Sequence, residues 1–232
     1  MHFPVHGPFR GRPWPGEGLK NRIFQGFRII DRAMANLLTT LRLALLLVAV
    51  ALAYAASPWL RLAVTGLVAV VFALDGIDGW VARRRGEASL LGSLYDIAAD
   101  RVVENVLWIV LADLDAVPVW VPLVFVARGS LVDAVRAELA GRGVAPFEGV
   151  RGRLARFLVA SRAMRGAYGT VKAVAILAGF AVLPWPELDP ASWRAWGGAA
   201  EAAVLALAAL AVLMNLLRGL PVLVEFATRR SA

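Results

Sequence analysis

Long apolar stretches alternate with short polar connections along most of the chain. Each stretch is long enough to cross a bilayer core of about 30 Å as a helix rising 1.5 Å per residue. None shows the alternating pattern of a half-buried strand. We therefore predict an all-α, polytopic membrane fold with six transmembrane helices, at residues 37–55, 60–81, 94–112, 117–138, 168–184 and 197–217.

The segments outside these stretches differ in character. Residues 1–18 are rich in Pro and Gly and carry no signal-peptide pattern, which predicts a flexible cytosolic tail. Residues 19–35 place apolar side chains at helical spacing between basic ones, which predicts an interfacial amphipathic helix, with a solvated basic tail as the alternative. The six-helix domain is predicted to span residues 36–226, followed by a cytosolic tail at 227–232. In the predicted interfacial helix at 19–35, the apolar positions are Ile23, Phe24, Phe27, Ile30 and Met34.

Basic residues are unevenly shared between the connections. They concentrate in the N-terminal tail, at 83–85, at 142–165 and at the C-terminus, whereas 56–61, 113–117 and 185–196 hold few. The positive-inside rule therefore predicts that both termini are cytosolic. Tryptophans at the opposite ends of the predicted spans form the expected aromatic belt, namely Trp59, Trp120, Trp185, Trp193 and Trp196.

Composition narrows the chemistry. The 232 residues are 59% hydrophobic with mean hydropathy +0.67, which makes the bilayer the expected solvent. In so apolar a chain, the net charge of +8 favours anionic headgroups over nucleic acid as the partner. The chain has no Cys and its two His are His2 and His6, so a metal would be bound mainly by oxygen.

Four aspartates flank the connection between the second and third apolar stretches. Asp75 and Asp78 lie on one helix face, and Asp96 and Asp100 are one turn apart on the next helix. Two carboxylates about 4 Å apart repel by roughly 4 kcal/mol at an effective dielectric of 20. Oxygen ligands suit a hard divalent cation, so we expect Mg²⁺ or Mn²⁺, with Ca²⁺ possible and two ions balancing the charge best.

Neighbouring residues suit a nucleotide diphosphate. Arg83 is placed to contact a phosphate oxygen, and Gly79 and Gly92 leave room for close approach to the backbone, although glycine also serves plain helix packing. A structural ion-pair cluster with Arg83–Arg85 and Arg101 is the alternative. Membrane carboxylates also occur in transporters, but near the midplane rather than at helix ends. A non-catalytic scaffold is a further alternative.

The aspartates belong to a longer motif, which reads D-x-x-D-G-x-x-A-R, then eight residues, then G-x-x-x-D-x-x-x-D. This motif resembles the signature of the CDP-alcohol phosphotransferases at every fixed position. The resemblance implies a homodimeric membrane enzyme that transfers a phosphatidyl group from a CDP-lipid to an alcohol at the cytosolic face of the cell membrane. It implies that Asp100 is also the general base for the acceptor hydroxyl. It further implies metal ligands at Asp75, Asp78, Asp96 and Asp100, and CDP contacts at Asp78, Gly79, Ala82, Arg83 and Gly92.

Residues beyond the signature concern the acceptor. Three segments are similar to those of phosphatidylglycerophosphate synthases: the opening run 36–42, the segment from Arg128 to Arg136, and the turn ending at Lys172. The resemblance as a whole covers residues 36–226. Gly129, Thr170 and Ala173 depart from that pattern. The resemblance implies glycerol 3-phosphate as acceptor, with Arg128, Arg136 and Lys172 making charge-assisted contacts to its phosphate. Inositol phosphate fits the same cations, other alcohols stay open, and these residues could serve membrane topology alone.

Overall fold

The computed structural model describes residues 37–85, 90–141, 157–159 and 161–229, with side chains described except at 77–85, 90, 91, 93 and 229. The predicted tail at 1–18 and interfacial helix at 19–35 lie outside the described residues. Residues 230–232 and most of the basic connection at 142–165 lie outside them as well.

The described residues are helical and contain no strand, as predicted. Each predicted apolar stretch falls largely within one long helix, and a single-turn helix at Trp185–Leu188 was not predicted. The helices are α1 (Leu37–Ala53), α2 (Pro58–Arg85), α3 (Leu90–Asp113), α4 (Trp120–Gly141), α5 (Arg162–Val182), α6 (Trp185–Leu188) and α7 (Pro190–Arg229).

Three described segments are long and apolar enough to cross a membrane, at Pro58–Gly76, Arg162–Leu188 and Pro190–Thr228, and α1 is a shorter apolar helix. Large apolar side chains cover much of the outer surface of the bundle. A water-soluble protein rarely exposes so much contiguous apolar area. The chain is therefore a multi-pass membrane protein. Exposed examples are Leu47, Leu123, Leu213 and Val224.

Local sequence explains where several helices begin. Proline occupies the first position of α2 and of α7, where its missing N–H and fixed φ fit the helix start. The side chain of Asp189 accepts a hydrogen bond from the backbone N–H of Ser192 at 3.1 Å. The Ser161 hydroxyl accepts one from the N–H of Met164 at 3.1 Å, which caps α5.

The turn from α3 to α4 is a Schellman motif. Asp115 has a positive φ of 59°, the backbone N–H of Ala116 donates to the carbonyl of Leu111 at 2.8 Å, and that of Asp115 donates to Ala112 at 3.2 Å. These bonds satisfy carbonyls at the end of α3 and reverse the chain tightly. The turn thereby fixes how α4 returns beside α3.

Side-chain pairs give the direction of the first helices. Arg42 near the start of α1 contacts Asp96 and Asp100 near the start of α3. The hydroxyl of Tyr54, just after α1, donates to Asp113 at the end of α3 at 2.6 Å. Helices α1 and α3 therefore run in the same direction and α2 returns between them. The start of α1, the last part of α2 and the start of α3 meet at one end of the bundle.

The opposite end of the bundle carries aromatic residues. Trp196 packs edge-to-face on Trp185 and on Trp193, with ring centroids 5.4 and 4.9 Å apart. An ion pair between Arg61 and Glu187 joins α2 to α6 there. The bundle is thus asymmetric, with Asp75, Asp96 and Asp100 close together at one end and the tryptophans at the other.

The interior is apolar and organised around α5 and α7. Helix α7 packs along α5 and α4, and α2 packs against α5. Trp108 is fully buried and stacks on Phe125 with ring centroids 5.0 Å apart. Gly179 lies so close to α3 that a Cβ there would be 2.8 Å from a methyl carbon of Leu111. This packing fixes α3, which carries four of the charged residues described below, Asp96, Asp100, Arg101 and Glu104.

Replacing Asp115 tests the turn that returns α4 beside α3. We expect Asp115→Val to lower the free energy of unfolding by about 1–2 kcal/mol, because a β-branched residue is strained at positive φ. Asp115→Gly should keep or raise stability, because glycine adopts this conformation freely. Thermal unfolding in detergent measures both, and equal melting temperatures for the two variants would contradict this account.

Candidate active site

Three of the four predicted metal ligands come together. Asp75 from α2 and Asp96 and Asp100 from α3 each place one carboxylate oxygen within 4.8 Å of the others. We call these three residues the acidic cluster. Their side chains are 43%, 45% and 47% exposed, so the cluster is open on one side. The local reason is the spacing: Asp96 and Asp100 are four residues apart and share a face of α3.

The donor set fits a hard divalent cation. Three carboxylate oxygens from two helices are the ligands that Mg²⁺ and Mn²⁺ prefer, and the chain offers no thiolate. Distances of up to 4.8 Å between oxygens are close to the separation of opposite ligands around one small ion.

The remaining signature residues are described less fully. Asp78, Gly79, Ala82 and Arg83 lie in α2, which is helical to Arg85, but their side chains are outside the described part of the chain. Gly92 lies in the first turn of α3. The helical backbone through 78 agrees with the spacing argument that puts Asp75 and Asp78 on one face.

Arg42 completes the acidic cluster, although the sequence patterns did not assign it a role. Its Nη1 is 2.9 Å from Asp75 and 3.3 Å from Asp96, and its Nη2 is 2.8 Å from Asp100. The side chain is only 2% exposed. A signal was present in the sequence, because an arginine within an apolar span is costly unless it has an anionic partner.

A second set of charges lies along α3 from the acidic cluster. Glu104, one turn after Asp100, is 4% exposed. It accepts a hydrogen bond from Arg101 at 3.1 Å and one from the Tyr168 hydroxyl at 3.1 Å. Lys172 is 3.3 Å from the same carboxylate. Glu104 is therefore the anionic centre of this set.

Asp133 on α4 is the second anion. Arg101 donates to both of its carboxylate oxygens, at 2.8 and 3.2 Å, in a bidentate pair. Arg136, one turn later on α4, is 3.9 Å from Asp133, so it is held loosely. The pair links α3 to α4 beside the acidic cluster.

Tyr168 and Asn215 join α5 to α7 within this network. The Tyr168 hydroxyl lies 3.1 Å from Glu104 Oε1 and 3.1 Å from Asn215 Oδ1. A hydroxyl has one proton, so it donates to the carboxylate and accepts from Asn215 when the amide is turned over. That orientation also gives a partner to the buried Nδ2 of Asn215, which otherwise has none among the described residues.

Arg128 is the least neutralised of these cations. It is 8% exposed, and its Nε has no hydrogen-bond partner within the described residues. It packs on the backbone of α7, where a Cβ at Gly219 would overlap its Nε and lie 2.8 Å from its Cγ. The positive charges of Arg101 and Arg136 and the negative charge of Glu104 all act on it, the last from beyond ion-pair distance. An anionic ligand is the natural partner for such a group.

Arg218 on α7 was also missed by the sequence analysis. Its guanidinium lies over the Tyr168 ring at 5.3 Å and donates to the carbonyl of Leu158 at 3.1 Å. Its role was missed because a basic residue at the end of the last apolar stretch is expected to serve membrane topology. We call the cationic cluster Arg101, Arg128, Arg136, Lys172 and Arg218; its described carboxylate partners are Glu104 and Asp133.

The structure thus brings the three predicted acceptor residues Arg128, Arg136 and Lys172 into one neighbourhood. The three residues differ in whether a carboxylate already neutralises their charge. Lys172 is paired with buried Glu104 and lies 5.4 Å from the centre of the Tyr168 ring, whereas Arg128 has no described carboxylate within ion-pair distance. Arg128 is therefore the best placed of the three to bind an anion.

The sequence model of the CDP-alcohol phosphatidyltransferases matches residues 32–228, which is most of the chain. The chain belongs to this family. The resemblance drawn from the aspartate motif is thereby confirmed. The acidic cluster lies inside the matched region, and so does the cationic cluster.

Two curated relatives within the CDP-alcohol phosphatidyltransferases are similar to part of the chain. A CDP-diacylglycerol--glycerol-3-phosphate 3-phosphatidyltransferase of Bacillus subtilis (strain 168) is 28% identical over 122 residues, covering 47% of this chain and 63% of that protein. One of the same name from Pseudomonas fluorescens is 30% identical over 111 residues, covering 47% of this chain and 56% of that protein. The chain spans less than two thirds of the length of each.

Removing the charge of Glu104 tests the centre of the network. We expect Glu104→Gln to lower the free energy of unfolding by about 3 kcal/mol, because Arg101 and Lys172 would lose a buried anionic partner. The melting temperature in detergent measures the loss. Glu201→Gln, at an exposed position of α7, is the matched control and should change little. Equal stability of both variants would contradict the assignment.

Proposed function

We propose that this protein transfers a phosphatidyl group from CDP-diacylglycerol, or a related CDP-lipid, to glycerol 3-phosphate and releases CMP. The observation that carries the proposal is the placement of the two clusters next to each other along α3. The acidic cluster suits a metal-bound diphosphate, and the cationic cluster suits a phosphorylated acceptor one turn away. The printed names of the two relatives agree with this substrate pair.

The proposed metal site would hold two divalent ions, either Mg²⁺ or Mn²⁺. Its ligands would be Asp75, Asp78, Asp96 and Asp100. When bound, the metal polarises the diphosphate and neutralises negative charge developing on the leaving phosphate. Gly79, Gly92 and Ala82 provide close backbone approach for the CDP moiety, and Arg83 and Asp78 contact it. These contacts orient the phosphorus that carries the lipid.

Asp100 acts as the general base. It accepts the proton of the acceptor hydroxyl while the hydroxyl oxygen forms a bond to the phosphorus that carries the lipid. The bond from that phosphorus to the oxygen of CMP breaks, and CMP leaves. The half-exposed side chain of Asp100 lies on the open side of the acidic cluster, where an acceptor can reach it.

Arg128, Arg136 and Lys172 bind the acceptor phosphate, with Arg218 and Arg101 beside them. Among the described residues the cluster carries more cations than carboxylates, so a dianionic phosphate improves its charge balance. Glu104 holds Lys172 back, which leaves Arg128 as the main contact. Inositol phosphate would use the same cations, which makes it the alternative acceptor.

The membrane arrangement belongs to the same proposal. All six long helices span the membrane, both termini are cytosolic, residues 19–35 lie at the interface and the active site faces the cytosol. Tryptophans at the end opposite the acidic cluster support the placement of that end at a membrane interface, because such residues favour membrane interfaces. We also propose that the protein acts as a homodimer in the cytoplasmic membrane.

Asp100→Asn tests the base. We expect CMP release to fall at least about 100-fold, because the amide cannot take the proton of the hydroxyl. The assay uses purified protein in detergent with CDP-diacylglycerol, glycerol 3-phosphate and Mg²⁺. Asp189→Asn, beyond α6 at the opposite end of the bundle, is the control that should keep activity. Normal CMP release by Asp100→Asn would refute the base assignment.

The acceptor is tested by comparing glycerol 3-phosphate, inositol 1-phosphate, serine and free inositol in the same assay. We expect release to depend on glycerol 3-phosphate. Arg128→Gln should raise the KM for this acceptor about tenfold or more, since a charge-assisted contact is lost, and leave the KM for the CDP-lipid unchanged.

The control for Arg128→Gln is Arg194→Gln, at an exposed position near the start of α7. Release with another acceptor would refute glycerol 3-phosphate while keeping the metal-dependent transfer. No release with any acceptor would refute the transferase with this donor. An unchanged acceptor KM in Arg128→Gln would remove Arg128 from the acceptor site.

A further inference from the structure

We infer that Arg42 is an internal counter-ion of the acidic cluster that competes with the divalent cation, so that removing it strengthens metal binding. The inference rests on the proposed function, because it takes Asp75, Asp96 and Asp100 as metal ligands. It concerns a residue of α1 that lies outside the aspartate motif.

The contacts place Arg42 where its charge opposes a metal ion. Each of the three carboxylates turns its Oδ1 toward the guanidinium, at 2.8–3.3 Å. A Mg²⁺ ion binds carboxylate oxygens at about 2.0–2.1 Å. An ion bound by these oxygens would therefore share them with a positive guanidinium. The two cations would repel each other and divide the same negative charge.

Burial shows from which side each cation approaches. Arg42 is 2% exposed and reaches the carboxylates from inside the bundle, while the carboxylates are nearly half exposed on the other side. The open side therefore remains available to a metal ion while Arg42 is in place. The competition is for the charge and orientation of the oxygens, and does not require Arg42 to block access.

Few other contacts hold the guanidinium. Its Nε is buried without a hydrogen-bond partner among the described residues, so the described polar contacts of Arg42 are those to the acidic cluster. A charged group of this kind is stabilised almost entirely by the anions beside it. The ion pairs thus stabilise the metal-free protein, and metal binding must offset what they contribute.

A bracing role would give the opposite result. If Arg42 mainly held the carboxylates in the geometry that a metal needs, its loss would weaken metal binding. Competition predicts a gain instead, because the carboxylates would keep their negative charge without an internal cation. The sign of the change in metal affinity therefore separates the two roles, and a general loss of structure would not produce a gain.

The experiment measures Mn²⁺ binding to the full chain in detergent, free of substrate and previously stripped with EDTA, by calorimetry or by the electron paramagnetic resonance signal of free Mn²⁺. We expect Arg42→Gln to bind Mn²⁺ about tenfold more tightly than the original chain, within the usual range of coupling between sites. Its melting temperature without metal should be lower, and the rise caused by Mn²⁺ larger.

Arg61→Gln is the matched control. Arg61 is also a partly buried arginine in an ion pair, with Glu187, but at the opposite end of the bundle. Its removal should leave Mn²⁺ affinity unchanged. If Arg42→Gln does not fold, Arg42→Lys carries the same test, because lysine keeps the charge but cannot reach three carboxylates with a planar fork, and a smaller gain is expected.

Equal or weaker Mn²⁺ binding by the Arg42 variant would overturn the inference and leave the proposed function standing. No Mn²⁺ binding by either the original chain or the variant would overturn the metal site of the proposed function, and this inference with it. Tighter binding confined to Arg42 variants is the result that supports competition.

Discussion

Charges on α3 can exist inside an apolar bundle only because cations from other helices lie beside them. Asp96 and Asp100 meet Arg42 of α1, and Glu104 meets Lys172 of α5 together with Arg101 of α3 itself. An unpaired ion at the position of Glu104, which is 4% exposed, would cost several kcal/mol. The relative positions of α1, α3 and α5 are therefore constrained by charge as well as by apolar packing, and both clusters depend on that constraint.

The same charges explain why apolar character alone does not identify α3 as one of the three described segments that could cross a membrane. Helix α3 carries Asp96, Asp100, Arg101 and Glu104 within three turns, and such residues lower the mean hydropathy of any window that contains them. A membrane helix that carries functional charged residues can therefore fall below a hydropathy threshold. The described surface of α3 and α4 still exposes Val102, Ile109 and Leu123, which suits contact with lipid.

Much of the fold and part of the site could be predicted because they depend on local spacing. Helical runs and the shared face of Asp96 and Asp100 follow from positions three or four residues apart. The role of Arg42 could not be read in this way, because it lies 33 residues before Asp75 and its contacts depend on how α1 packs. Tyr168 was missed for the same reason, whereas Arg218 was missed because its place at the end of the last apolar stretch suggested a topology role. Lys172 was predicted, but its pairing with Glu104 requires two helices to be placed first.

The cations of the cationic cluster are not equally neutralised by carboxylates, and this difference is the main reason to propose a phosphorylated acceptor. A bundle that needed positive charge only for topology would leave its arginines at the surface, where water stabilises them. Arg128 is instead buried against Gly219 with an unpartnered Nε, and a Cβ at that glycine would displace it. Burying a cation without a fixed anion is unfavourable unless an anion arrives during function. In the proposed function, a phosphorylated acceptor would supply that anion beside Asp100, the proposed base for its hydroxyl.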